Sequence, residues 1–291
     1  MTISPLYVST EWLYKHLDDP QVVIADCRFS LTNPELGQQQ YLLQHIPTAY
    51  YLDLNQDLSG PVGQHGGRHP LPDPVQLANK LSAMGINSQT LVVAYDDSRF
   101  AFAARLWWLL RYLGHNRVAV LDGGFSAWLR AEYPVTDTVE LAGARRRSYL
   151  RRTVETPQIA EFVPQLQQAR VVDIAAVKTR KDLPGIALID SRESDRYRGE
   201  REPIDRIAGH IPGASNYPWM EVSDAQGYLL AEAEQHRRWE KLQQAEEILV
   251  YCGSGVTACV NLLSLEMAGI HTGKLYAGSW SDWCSYEEGV V

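Results

Sequence analysis

Cysteine is scarce in this chain and scattered. The four residues Cys27, Cys252, Cys259 and Cys284 are too few and too far apart for a disulfide framework or a zinc knuckle. Such usage suits a reducing compartment, and the expected location is cytoplasmic. Long apolar runs are also absent. No stretch approaches the roughly 20 residues of a membrane span. The opening "MTISPLYVSTEWLYKHL" lacks a charged start followed by an apolar block, so no signal peptide is expected. There is no excess of positive charge: 27 Lys and Arg stand against 35 Asp and Glu, a net charge of −8. Neither nucleic acid nor a membrane surface is expected as a partner. An acidic chain that binds an anion must use a local cluster of cations. The histidines form no metal constellation; His45 and His210 occur in matching "HIP" turns and read as structural hydrogen-bonders. No metal and no cofactor are expected.

What is present is a sequence written twice. "VVIADCR" (22–28) resembles "IALIDSR" (186–192), and "HIPTAYYLD" (45–53) resembles "HIPGASNYP" (210–218). "LVVAYDDS" (91–98) resembles "ILVYCGS" (248–254), and "VLDGGFSAW" (120–128) resembles "LYAGSWSDW" (275–283). Four matches keep one order, at offsets of about 155 to 165 residues, which implies two copies of one domain. The 291-residue length and the 45% hydrophobic content allow two such cores. The expected layout is a first domain over 1–135, a linker over 136–154 and a second domain over 155–291. The arginine-rich stretch "ELAGARRRSYLRRTVETP" (140–157) reads as a solvated connection. Within each copy, short β-rich runs alternate with helical patterns. That predicts an α/β fold with a mainly parallel sheet flanked by helices. "IALID" and "EILVY" read as buried strands, and "GVTACVNLLSLEMAG" as a helix that starts near Val256 and stops at Gly269.

Ligands of such sheets collect at the C-terminal strand ends. "EILVY" ends at Tyr251, so Cys252 sits at that end. The loop Cys252, Gly253, Ser254, Gly255, Val256, Thr257 then curves into the helix. Its glycines permit backbone angles that turn successive amide N–H groups inward, as an anion nest reinforced by the helix terminus. A nest of this kind favours a thiolate, which is the nucleophilic form of cysteine. The matching residue of the first copy is Asp96, which cannot act as a sulfur nucleophile. One half therefore reads as active and the other as a structural partner. Cys259, inside the helix, reads as core.

Taken together, "DCR" and "DSR", the paired "HIP" turns, the "GGFSAW" and "GSWSDW" endings and the cysteine loop resemble the two-domain rhodanese family of sulfurtransferases. The resemblance spans essentially the whole chain. It implies two tandem rhodanese-like domains, the first without a catalytic cysteine and the second catalytic. It also implies a ping-pong reaction: Cys252 takes sulfane sulfur from a small anionic donor and passes it on as a persulfide. The acceptor would be cyanide or a thiol, a thioredoxin-like protein among the candidates. Thiosulfate-preferring members carry a C-R-K-G-V-T loop, whereas C-G-S-G-V-T resembles members that use 3-mercaptopyruvate. A compact dianion gains from two cations beside the cysteine, and this loop supplies none; a single carboxylate can be held bidentately by one arginine.

By the same resemblance, Arg196 matches the arginine that holds the donor carboxylate. Arg198, Arg201 and Arg206 remain open as the second cation, with surface ion pairs to Glu193, Glu200 or Glu202 as the alternative role. Ser254 matches a serine that polarises the thiol, its alternative role being to cap the next helix. The Gly- and Pro-rich loop "GQHGGRHPLPDP" (63–74) would bring Arg68 and His69 near the substrate. Asp282, where the family usually has glutamate, is expected to affect packing only. Three alternatives stand beside this reading: a thiosulfate:cyanide sulfurtransferase, a non-catalytic rhodanese-like interaction module, and a cysteine phosphatase. The last needs C-x5-R, and the sixth residue after Cys252 is Ala258.

Overall fold

Strands buried on both faces of a parallel sheet read as continuous apolar runs, and two sets of such runs organise this chain. The computed structural model describes residues 5–140 and 161–286. These form two compact units. The first contains the described residues up to Leu58, the described part of Pro72–Leu166, and Ala225–Tyr228. The second contains Ser59–Leu71, Gln167–Asp224 and the described residues from Leu229 onward.

The strands of the first unit are β1 (Tyr7–Val8), β2 (Val22–Asp26), β3 (Tyr50–Tyr51), β4 (Leu91–Tyr95) and β5 (Val118–Leu121). They pair in the order β1-β5-β4-β2-β3, all parallel. The second unit repeats this with β6 (Val171–Val172), β7 (Ile186–Asp190), β8 (Ser215–Asn216), β9 (Glu247–Tyr251) and β10 (Gly273–Tyr276). Its order is β6-β10-β9-β7-β8, again all parallel. Strand β9 is buried at every position and lies between β7 and β10 in the sheet. Both runs expected as strands, "IALID" and "EILVY", form β7 and β9 with those bounds.

The repeated motifs form the same packed cluster in each unit. Asp26 ends β2 and Arg28 folds back onto it, with Nη2 donating to Oδ2 at 2.6 Å; Arg192 does the same to Asp190 at 2.6 Å. Arg28 also donates to the Gln44 carbonyl (2.8 Å), and Arg192 to that of Gly209 (2.6 Å), just before each "HIP" turn. Each guanidinium lies over an aromatic ring of the fourth motif, Phe125 at 4.1 Å and Trp280 at 4.9 Å. His45 and His210 stack on Tyr41 and Tyr197, and Nδ1 of each meets the carbonyl of that same tyrosine. Their place is structural.

Chain order and compact units differ in four places, one of them Ala225–Tyr228, which lies within the stretch read as second domain and groups with the first unit. Residues 136–140, read as the start of the linker, belong with the first unit: His45 and Thr136 exchange backbone hydrogen bonds at 2.8 and 2.9 Å. Residues 161–166, read as second domain, also pack there, with the Phe162 amide donating to Ser82 Oγ and the Gln165 amide to the Leu113 carbonyl. Residues 59–71, read as first domain, belong to the second unit. The arginine run of the linker lies outside the described residues.

Candidate active site

Cys252 follows β9 directly and is only 2% exposed. Its backbone is clamped by the start of α10, the helix Ser279–Trp283. The Cys252 amide donates to Ser279 Oγ (3.1 Å), the Trp280 amide to the Cys252 carbonyl (3.0 Å), and the Ser281 amide to the Gly253 carbonyl (2.9 Å). Ser279 holds φ at +58°, a conformation that non-glycine residues adopt only where surroundings enforce it. Gly255 has φ +77°, and a Cβ there would run into the Ala277 carbonyl. That turn aims the Gly255 amide at Cys252 Sγ, 3.2 Å away. The helix that follows, α9 (Ala258–Met267), starts at Ala258 rather than near Val256, and Gly269 ends it at φ +72°. Val256 is buried just ahead of it, and the Cys259 and Val260 amides bond back to the Val256 and Thr257 carbonyls in a tighter first turn. Thr257 is its N-cap residue, with no side-chain cap bond. The Cys259 thiol donates to the Gly255 carbonyl inside the core.

The first unit has the same arrangement around Asp96. There the Phe125 amide donates to the Asp96 carbonyl at 2.8 Å. The Asp96 carboxylate accepts four amides: Ser98 (2.8 Å) and Phe100 (3.0 Å) on Oδ1, Phe102 and Ala103 (both 2.9 Å) on Oδ2. Burial pushes its pKa up against the pull of these amides. The nest exists in this unit and is filled by the protein's own anion.

Around Gly253 the second unit gathers charge. A Cβ on Gly253 would lie 3.1 Å from Arg68 Nη2, and 3.6 and 3.7 Å from Arg196 Nη2 and Nη1. Arg196, in the short helix α7 (Ser194–Tyr197), is buried and bonds Glu202 (2.7 Å) and Asp205 (3.2 Å). Arg68 pairs with the other oxygen of Asp205. Glu202 also takes Arg192 at 3.1 Å. The result is an alternating row: Asp190, Arg192, Glu202, Arg196, Asp205, Arg68. Burial pushes the Glu202 carboxyl up, but the Asp205 and Ile204 amides and Arg196 outweigh it, so its pKa falls below the ordinary value. Asp205 lies above its ordinary value because burial outweighs the pull of Arg68 and Arg196.

The loop carrying Arg68 is tied down within its unit. The Gly66 amide donates to Asp282 Oδ1 (2.7 Å), the Arg68 amide to Ser281 Oγ (3.2 Å), and His65 meets Ser285 Oγ (2.7 Å). Tyr276 donates its hydroxyl to the other Asp282 oxygen. Asp282 thus does more than pack; it joins the loop to β10. The next residue, His69, is buried, and its Nδ1 lies 2.7 Å from Ser254 Oγ.

Not every candidate joins this group. Arg198 pairs with Glu200, and Arg201 with Asp195; both pairs are exposed. Arg206 is exposed on the same loop. The second guanidinium beside Gly253 is Arg68. Glu202 entered only as an ion-pair partner, and Asp205, Ser279 and Ser281 carried no role, because nothing local in the sequence marks them. Among the described residues, no group of three His, Cys, Asp or Glu is arranged to hold a metal ion.

Two five-stranded parallel sheets of one topology, with a thiol at the end of a central strand among amides and guanidinium groups, define a class of α/β protein built from tandem copies. The model of the rhodanese-like domain matches residues 9–131 and 173–286, and the chain belongs to that family. It is 42% identical over 281 residues to a probable 3-mercaptopyruvate sulfurtransferase from Pseudomonas aeruginosa, covering 95% of this chain and 94% of the relative. It is 34% identical over 277 residues to a putative thiosulfate sulfurtransferase from Mycobacterium tuberculosis, covering 92% and 89%. The solved structure of 3-mercaptopyruvate sulfurtransferase from Leishmania major superposes with a TM-score of 0.80 at 28% identity, covering 97% of this chain and 75% of that one.

Proposed function

We propose that this protein is a sulfurtransferase that moves sulfane sulfur from 3-mercaptopyruvate, through a persulfide on Cys252, to a thiol or cyanide. The observation that carries this reading is the thiol at the end of β9, with the Gly255 amide on its sulfur and the Arg68 and Arg196 guanidinium groups over the next residue. In the first half-reaction the Cys252 thiolate attacks the donor sulfur. The S–S bond forms and the donor C–S bond breaks. Its electron pair stays on the pyruvate enolate, and a proton on the methylene carbon then gives pyruvate. The Ser254–His69 pair is suited to carry that proton from the donor thiol, because both groups are buried and hydrogen-bonded. The Gly255 amide stabilises negative charge on sulfur before and after transfer. Arg196 and Arg68 take the donor carboxylate, which fixes the donor sulfur near Cys252. In the second half-reaction an acceptor nucleophile takes the outer sulfur and restores the thiolate. A thioredoxin-like dithiol in the cytoplasm fits as acceptor, since a thiolate can attack the outer sulfur of a persulfide. No helix of the described residues is long and apolar enough to cross a membrane.

Thiosulfate is the second reading, favoured by one observation: two guanidinium groups meet at Gly253, although the loop itself carries no cation. Charge balance argues against it. Asp205 faces both arginines and Glu202 faces Arg196 as well, so a dianion meets little net positive charge at the pair. The test is the intact mass after incubation with each donor, paired with kcat/KM for both. A gain of one sulfur and a higher kcat/KM with 3-mercaptopyruvate are expected. No sulfur gain with either donor sinks the enzyme reading, and a preference for thiosulfate sinks the donor assignment.

A further inference from the structure

Glu202 and Asp205 lie on one loop and both face guanidinium groups, yet they are held differently. Glu202 accepts from the backbone amides of Ile204 (3.1 Å) and Asp205 (3.0 Å), and from Arg192 and Arg196. It is an anchor. The Asp205 carboxylate is equally buried, with 4% side-chain exposure, but takes only guanidinium groups: Oδ1 from Arg68 and Oδ2 from Arg196. Among the described residues, no backbone amide fixes it. Each of its oxygens sits on a different arginine, which is how a bound carboxylate ligand would span the pair. Those same two guanidinium groups converge on Gly253, beside Cys252.

We infer that Asp205 is a built-in placeholder for the donor carboxylate: it occupies the Arg68–Arg196 clamp in the empty enzyme and gives way when a carboxylate-bearing donor binds. The inference rests on the reading that Cys252 takes sulfur from 3-mercaptopyruvate. Without Asp205 the two guanidinium groups would face each other with Arg68 stripped of its ion-pair partner and Arg196 left to Glu202 alone, an unfavourable meeting of like charges. Asp205 removes that cost in the empty site. It also competes with the donor, so affinity for small carboxylates is set by an exchange of one carboxylate for another. Burial disfavours charge on Asp205 more than its two arginines restore it, which makes it the exchangeable member of the row.

The test is binding of pyruvate, which carries the donor's carboxylate and ketone without its sulfur. Calorimetric Kd values are compared for the wild type, Asp205→Asn and Asp205→Ser. If the placeholder holds the clamp nine-tenths of the time, apparent affinity is reduced about tenfold. Both neutral variants should therefore bind pyruvate about tenfold more tightly, and KM for 3-mercaptopyruvate should fall by more than kcat changes. Adding Arg68→Ala to Asp205→Asn should erase the gain. A brace that merely positions the arginines predicts the opposite sign. Weaker or unchanged pyruvate binding in the neutral variants, or a gain that survives loss of Arg68, overturns the inference. If the wild type takes no sulfur from 3-mercaptopyruvate, the functional reading falls, while the pyruvate titration still decides the place of Asp205.

Discussion

Replacing Arg196 with alanine separates donor binding from sulfur transfer. Arg196 is buried, and its partners are the carboxylates of Glu202 and Asp205. Removing one member of a buried ion pair costs about 3–5 kcal/mol when the other charge is stranded. Neither partner is stranded here. Glu202 keeps Arg192 at 3.1 Å and two backbone amides, and Asp205 keeps Arg68. The stability cost of Arg196→Ala should therefore be about 1–2 kcal/mol, below that range. On the proposed reading, the functional cost is that of the lost contact to the donor carboxylate. Hydrogen bonds to charged groups are worth about 1.5–3 kcal/mol, so kcat/KM for 3-mercaptopyruvate should drop about 10- to 150-fold. The assay is rapid mixing of each half-reaction: persulfide formation with the donor, then discharge of a preloaded persulfide by cyanide. The first should slow and the second should change by less than about threefold, since the second needs no carboxylate site. Equal slowing of both steps, or slowing of neither, would refute the assignment of Arg196 to the donor.

Four further outcomes are expected. Cys252→Ser should take up no sulfur from the donor, whereas Cys27→Ser, Cys259→Ser and Cys284→Ser should each still gain one sulfur by intact mass; loading of Cys252→Ser moves the chemistry elsewhere. Ser254→Ala and His69→Ala should be non-additive in log kcat, with coupling of about 1–3 kcal/mol, because each removes the same buried 2.7 Å contact; additive losses exclude the shared proton path. Asp96→Ala should lower urea stability by about 3 kcal/mol or more, since unsatisfied buried donors cost about 1–3 kcal/mol each and four amides lose their acceptor, with Asp96→Asn costing less; a loss under about 1 kcal/mol argues that solvent replaces the carboxylate. Burial lowers the pKa of His115 below its ordinary 6.5, against the pull of its carbonyl partners. The folded state then binds fewer protons than the unfolded chain, so stability should fall as pH drops from 6.5 toward the folded value. That fall should shrink in His115→Gln relative to wild type, and an identical pH slope would remove the histidine from the account.

Features written in local pattern were legible from the residues. β7 and β9 are continuous apolar runs, and a strand buried on both faces needs no partner to announce itself. Gly269 ends α9 because only a residue tolerant of positive φ fits there. The helix expected to open near Val256 is regular from Ala258, after a tighter turn in which the Cys259 amide bonds back to the Val256 carbonyl.

The sequence by itself determined two copies of one α/β topology, a cysteine at the end of a central strand in the second copy, and an acid in its place in the first. Repetition and hydrophobic runs are properties of the chain read in order, so they survive without coordinates. Only the tertiary structure decided which cation stands with Arg196 and which hydroxyl partner His69 finds. Arg68 and His69 reach the Cys252 loop because Asp282, Ser281 and Ser285 hold their segment across more than two hundred residues of chain. Those bonds depend on donors and acceptors meeting in space, and no local spacing encodes them. Arg201 and Arg206, nearer in sequence to Arg196, lie on the exposed side of their loop, because Glu202 turns inward between them to anchor Arg192 and Arg196.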